Sequence, residues 1–212
     1  MSSQVREATR FFTIGAGPVT VDEVLAIAAG EGQVRLDPSP AFRARIEAAE
    51  TALSAVLGGG QPVYGVTTGV GASVGNTIPD DQRGAMPYHL MRFHGCGTGP
   101  LLGEQEAAAV VAIRLVCLAK GHSGVRLELL ERLCDLLNHR VLPCIPERGS
   151  VGASGDLTPL SYLVATLVGE REATFGGRVM PAAEALRLAG LEPYALAPKE
   201  RSEEHTSELQ SR

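Results

Sequence analysis

Long apolar runs are missing from this 212-residue chain: the longest candidate, residues 162–168, is far too short to cross a bilayer, which takes about 20 residues. Missing too is any apolar stretch behind Met1-Ser2-Ser3-Gln4-Val5-Arg6 of the kind a secretory signal requires. Charge of neither sign accumulates: 19 Lys and Arg stand against 24 Asp and Glu, a formal net charge of −5, so there is no electrostatic reason to expect nucleic acid or a membrane surface as a partner. Cysteine is scarce, and Cys96, Cys117, Cys134 and Cys144 lack the paired spacing of a metal site. No metal is expected, and without an export signal the four read as reduced thiols in or near the core. Internal repeats and low-complexity linkers are absent as well. With 44% hydrophobic residues the chain can build a core, and its length suits one domain or a large piece of one. A cytoplasmic location fits this balance.

The pattern along the chain is mainly helical with a few short strands. Thr20 caps a helix over Val21–Ala29 that Gly30 ends, and Ser39-Pro40 opens a longer one over 40–57, with Phe42, Ile46, Leu53 and Val56 on one side and Gly58-Gly59-Gly60 as its stop. Further helices are expected over 104–120, closed by Gly121, and over 125–138, before Pro143 and Pro146 force an extended segment. Residues 156–168 read as a buried helix with Asp156 near its N-terminus. Only Phe11–Ile14, Gln33–Leu36 and a hairpin at Gly176-Gly177 suggest strands.

One short stretch carries chemistry of its own, Gly149-Ser150-Val151-Gly152-Ala153-Ser154-Gly155-Asp156. Such a run of small residues suits an ordinary tight turn, yet Ala-Ser-Gly can also cyclise. The amide nitrogen of Gly155 must reach the carbonyl carbon of Ala153, and a residue without Cβ permits that approach. Loss of one water closes the ring, and loss of a second from the Ser154 side chain leaves an exocyclic methylene. The product is 4-methylidene-imidazol-5-one, an electrophile that no ordinary side chain provides. The helix that follows would turn its amides and dipole toward that ring. The nucleophile elbow of hydrolases, Gly-x-Ser-x-Gly after a strand, does not fit, because Gly152-Ala153-Ser154 is followed by Gly155 and Asp156. Preceded by Val141-Leu142-Pro143-Cys144-Ile145-Pro146 and followed by Asp156-Leu157-Thr158-Pro159-Leu160, the stretch resembles the signature of the aromatic amino acid ammonia-lyases, which include histidine, phenylalanine and tyrosine ammonia-lyases and related aminomutases.

Two further segments extend the resemblance. Tyr64-Gly65-Val66-Thr67-Thr68-Gly69-Val70-Gly71 resembles the tyrosine loop of that family, and the resemblance implies that Tyr64 is the base at the substrate's β-carbon. A phenol titrates near pH 10, so acting at neutral pH would require nearby positive charge or hydrogen bonds to the phenolate. As a dinucleotide loop the same glycines fail, since their spacing is not Gly-x-Gly-x-x-Gly. Leu90-Met91-Arg92-Phe93-His94-Gly95-Cys96-Gly97-Thr98-Gly99 resembles the segment whose adjacent pair contacts the substrate ring, implying substrate binding by Phe93 and His94. Family pairs are Ser-His in the histidine enzymes, Phe-Leu in the phenylalanine enzymes and His-Leu in the tyrosine enzymes. Phe93-His94 matches half of two of these. His89, His122 and His139 read as structural histidines.

By resemblance, residues 1–200 are the N-terminal part of an ammonia-lyase of the fumarase/aspartase-like helical superfamily, with histidine the first choice of substrate and phenylalanine, tyrosine or an aminomutase reaction the alternatives. The resemblance also implies a homotetramer with each active site drawn from three chains, and no external cofactor. Residues 201–212 are different: Arg201-Ser202-Glu203-Glu204-His205-Thr206-Ser207-Glu208-Leu209-Gln210-Ser211 reads as the in-frame translation of a sequencing adapter, a non-biological tail on a gene cut at about Glu200. The 212-residue chain by itself is expected to be inactive.

Overall fold

The structure is a computed structural model and describes residues 9–152 and 157–200. Strand β1 (Phe11–Ile14), helix α1 (Val21–Ala29) and strand β2 (Gln33–Leu36) form the first unit, with β1 and β2 parallel and Phe12 opposite Val34. Thr20 Oγ1 accepts from the Glu23 amide at 3.2 Å while Glu23 accepts from the Thr20 amide at 2.8 Å, a reciprocal cap. Gly30, at φ +78°, ends the helix in the left-handed conformation that favours glycine. The Asn138 side chain completes the far edge of β2: its Oδ1 accepts from Val34 N at 2.7 Å and its Nδ2 donates to Val34 O at 2.9 Å.

Helix α2 (Pro40–Gly58) starts at Ser39, whose Oγ accepts from Phe42 N. Phe42 and Ile46 are buried, but the expected stripe does not continue: Leu53 is half-buried and Val56 is 42% exposed. The last turns of the helix lie beyond the reach of the core packed around its start. Helix α3 (Met86–His94), which the sequence pattern does not announce, packs Met91 against Val164 and Ala165 of helix α6 (Leu157–Leu167). After strand β3 (Thr98–Leu101) come α4 (Glu104–Leu118) and α5 (Leu127–His139), which bury Val111, Leu115, Leu118, Leu130, Leu133 and Leu136. Both helices are shorter than the expected 104–120 and 125–138 spans at one end, by a residue or two.

The extended segment around Pro143 and Pro146 forms two strands. β4 (Leu142–Pro143) joins β6 (Glu172–Phe175) and β7 (Arg178–Pro181) in a three-stranded antiparallel sheet, with the Gly176-Gly177 hairpin where expected. β5 (Pro146–Arg148) pairs with β3, Thr98 opposite Arg148 and Leu101 opposite Pro146. Helix α7 (Ala182–Leu188) covers the sheet. Nine of the eleven residues of α6 are buried, so it is a central helix covered on nearly every side, with Thr158, Ser161 and Thr166 as its buried polar residues. Of the cysteines, Cys134 and Cys144 are buried and Cys117 half-buried, but Cys96 is exposed, contrary to the expectation of a core position. It stands between Gly95 and Gly97, where the chain turns outward from α3 into β3.

At the end of the described chain, Glu200 is 2% exposed and accepts from Arg126 Nε at 3.0 Å, Arg126 Nη2 at 2.6 Å, Arg126 N at 3.1 Å, Ala197 N at 2.8 Å and Tyr194 Oη at 2.9 Å. A buried carboxylate is tolerated only with such partners. Burial, and after it the Glu200 charge, pushes the Tyr194 phenol well above its usual value. The result fastens the segment after α7 to the start of α5.

Candidate functional site

Ala153, Ser154, Gly155 and Asp156 lie outside the described residues, so the site is built from the two arms that lead to them. On the incoming arm, β5 runs into Gly149, Ser150, Val151 and Gly152. On the outgoing arm, α6 begins at Leu157. Two backbone hydrogen bonds tie the arms together, Leu157 N to Val151 O at 3.2 Å and Thr158 N to Ser150 O at 2.9 Å. These two amides are therefore engaged by carbonyls of the incoming arm, which closing the arms brings over the helix start; the ring that the helix dipole is expected to face lies outside the described residues. Gly149 makes the closure sterically feasible: a Cβ there would stand 2.5 Å from Thr158 Cγ2 and 2.9 Å from Thr158 Cβ. Thr158 is 1% exposed, and its Oγ1 has no hydrogen-bond partner among the described residues. A buried hydroxyl of this kind is rare.

The segment after α3 is wedged between these arms. Through β3 it pairs with β5, and Leu102 N donates to Ile145 O at 2.8 Å. From the other side, Tyr162 of α6 accepts from Gly97 N at 3.0 Å through its Oη. A Cβ on Gly97 would meet Pro146 Cβ at 3.0 Å, so glycine is what lets this segment lie so close to the incoming arm. His94, last residue of α3, is 6% exposed; Phe93 is 76% exposed, its ring centroid 5.5 Å from that of His94. The structure thus buries His94 at the end of the helix that leads into this segment and turns Phe93 outward.

Tyr64 sits in a loop shaped by its own hydrogen bonds. Thr67 N donates to Val63 O, Gly69 N to Asn76 O at 2.9 Å and Ile78 N to Thr67 O at 2.8 Å. Tyr64 Oη accepts from Gly71 N at 2.7 Å. Gly65 and Gly71 have φ of +62° and +53°, and a Cβ on Gly69 would overlap Ser73 O, which explains the glycine spacing that a dinucleotide loop does not.

Sequence reading passed over the groups that hold this region together. Arg92 pairs with Glu170 through two hydrogen bonds, at 3.0 and 2.5 Å, and Arg171 Nη2 donates to Gly95 O at 2.7 Å. That ion pair, with the Arg92 hydrogen bond as the main cause, holds the Glu170 carboxyl below its usual range. Among the described residues no group of three or more His, Cys, Asp or Glu is arranged to hold a metal ion, and no helix is long and apolar enough to cross a membrane.

Residues 19–202 match the family described as aromatic amino acid lyase. A histidine ammonia-lyase of Sorangium cellulosum is 48% identical over 161 residues, covering 74% of this chain and 31% of that protein. One from Bradyrhizobium diazoefficiens is 41% identical over 184 residues, covering 87% of this chain and 35% of that protein. The chain thus spans about a third of the length of the curated relatives it matches. Among solved structures, a tyrosine aminomutase from Streptomyces globisporus superposes with a TM-score of 0.81 at 37% identity, over 89% of this chain and 35% of that one. A histidine ammonia-lyase from Trypanosoma cruzi does so with a TM-score of 0.80 at 32% identity, over 90% of this chain and 37% of that one.

Proposed function

This chain belongs to the aromatic amino acid lyase family, and on that premise we propose that the whole protein eliminates ammonia from an aromatic α-amino acid, histidine by preference, to give the α,β-unsaturated acid. The observation that carries this reading is the His94 segment, hydrogen-bonded on one side to the arm entering Ala153-Ser154-Gly155 and on the other to the helix leaving it. The histidine ammonia-lyases among the relatives support the choice of ring.

The residues around the tripeptide fit a self-made 4-methylidene-imidazol-5-one. The arms are closed by two backbone bonds, a side chain at position 149 is excluded, and the Thr158 hydroxyl, without a partner among the described residues, lies beside Gly149. That group supplies an electrophile which makes the substrate's amine a better leaving group. In this reading Ala153, Ser154 and Gly155 form it. Tyr64 takes the β-proton, and the Gly71 N–H already donated to its oxygen remains there to stabilise charge on that oxygen. His94 offers a ring nitrogen to an imidazole or phenol, and the apolar Phe93 stands beside it.

An aminomutase reaction, which returns ammonia to the β-carbon, is the second reading, favoured by the superposition on tyrosine aminomutases at 36–37% identity. Both readings carry a homotetramer in the cytoplasm. Residues 201–212 are proposed to be adapter-derived and to take no part; sequencing the gene across codon 201 checks this. The functional test is the intact mass of the full-length protein together with its products. A deficit of two waters, abolished by Ser154→Ala, with formation of urocanate faster than cinnamate or coumarate, is expected. An unmodified wild-type mass overturns the proposal.

A further inference from the structure

We propose that Tyr162 and Arg171 are positioning residues that set the orientation of His94 and thereby which aromatic ring the enzyme accepts, an inference that rests on the reading above. Helix α3 ends at His94, and the next three residues are Gly95, Cys96 and Gly97, a stretch with little intrinsic stiffness. Left alone it would let the end of the helix fray and carry the His94 backbone with it.

Side chains from α6 and the turn after it remove that freedom. Tyr162 Oη accepts from Gly97 N at 3.0 Å and donates toward Gly95 O at 3.3 Å, bridging both glycines with one hydroxyl. Arg171 Nη2 donates to the same Gly95 O at 2.7 Å, and its guanidinium lies over the Tyr162 ring, 4.6 Å from the centroid. A Cβ on Gly95 would overlap the Arg171 head group, so glycine, arginine and tyrosine are fitted to one another. Arg171 is one of two non-glycine described residues at positive φ, +62°, a conformation that L side chains adopt only where the surroundings hold it. Glu170, one residue earlier, grips Arg92 two positions before His94. Three consecutive grips on one helix end are more than α3 needs to stay folded, since Met91 already anchors it to α6. What they fix is the exit of the helix, where His94 stands.

The test uses the full-length protein with Tyr162→Phe, Arg171→Met and the conservative Arg171→Lys. Tyr162→Phe keeps the buried ring and removes only the hydroxyl, so the melting temperature should stay near that of the parent. Exchange of the Gly97 amide should speed up, KM for the preferred amino acid should rise roughly tenfold with a smaller change in kcat, and the ratios of kcat/KM among histidine, tyrosine and phenylalanine should shift by a similar factor. Arg171→Lys should recover part of what Arg171→Met loses. Unchanged Gly97 exchange overturns the clamp, and faster exchange with an equal loss for all three amino acids overturns its role in ring choice. A parent protein that turns over none of the three refutes the underlying reading instead and takes this proposal with it.

Discussion

Replacing Arg126 by methionine leaves the Glu200 carboxylate buried without its cation. The substitution removes the Nε bond at 3.0 Å and the Nη2 bond at 2.6 Å to Glu200, and the Nη2 bond at 2.6 Å to Ala195 O. Two charge-assisted bonds at about 1.5–3 kcal/mol each set an upper bound near 6 kcal/mol. The Arg126 side chain is 32% exposed, and the Arg126 amide, the Ala197 amide and the Tyr194 hydroxyl still donate to the carboxylate. Solvent screening and these surviving donors bring the expected loss to about 3 kcal/mol. That loss falls on the local opening that releases residues 191–200 from α5, so exchange of the Ala197 and Glu200 amides should accelerate by about two orders of magnitude. Hydrogen exchange read by mass spectrometry on peptides spanning 191–200 of the full-length protein measures it directly. Arg126→Lys, which restores a charge but not the planar fork, should fall between the two. Less than a threefold acceleration in Arg126→Met would refute the idea that the ion pair holds this segment down.

Tyr64→Phe in the full-length protein should keep the fold and the ring while lowering turnover by roughly 10²–10⁴-fold, checked by steady-state assay beside intact mass; near-normal turnover removes Tyr64 from the role of base. Gly149→Ala should destabilise by about 1–3 kcal/mol, because its Cβ meets buried Thr158 atoms that cannot retreat, and should leave part of the protein without the two-water deficit. Thr158→Ser, which deletes the Cγ2 nearest that Cβ, should restore part of the loss. Burial pushes the Cys134 thiol up to about 12 from 9.0. Because the folded value is raised, its contribution to stability is complete below pH 9, where the unfolded thiol is still protonated, and declines as the pH rises from 9 toward 12; denaturant titrations across that range should show a loss that Cys134→Ala suppresses. At pH 8 Cys96 should alkylate rapidly and Cys134 hardly at all, as quantified by mass spectrometry.

Elements whose reasons are local could be read from sequence. Thr20 with Glu23 and Ser39 with Pro40 are complete helix starts within four residues, and the tripeptide advertises its chemistry through the residue types that cyclisation needs. Helix α3 was hidden because Ala85 offers no capping side chain and Pro87 looks like a breaker, although a proline in the first turn costs no hydrogen bond. The β3–β5 pair was hidden for a similar reason: Gly99, Pro100 and Pro146 are poor strand residues, and they pair because Gly97 admits close contact with the incoming arm. Within the candidate site, Tyr64 and His94 were found through their motifs. Tyr162 and Arg171 act on Gly95 and Gly97 across 65 to 76 residues, and no pattern along the chain marks a contact of that span.

The Asn138 side chain gives the protein a timetable. Its amide stands where a third strand would stand against Val34, and it arrives 104 residues later in the chain. Ribosomes add roughly 5–20 residues per second, so the β1–β2 unit emerges with an open strand edge and waits about 5–20 s for the group that closes it. During synthesis that edge is available to any extended segment of a neighbouring nascent chain. Conditions that slow translation between codons 34 and 138 therefore lengthen the period in which this protein is prone to clump on polysomes, even though the finished fold offers no such edge at Val34.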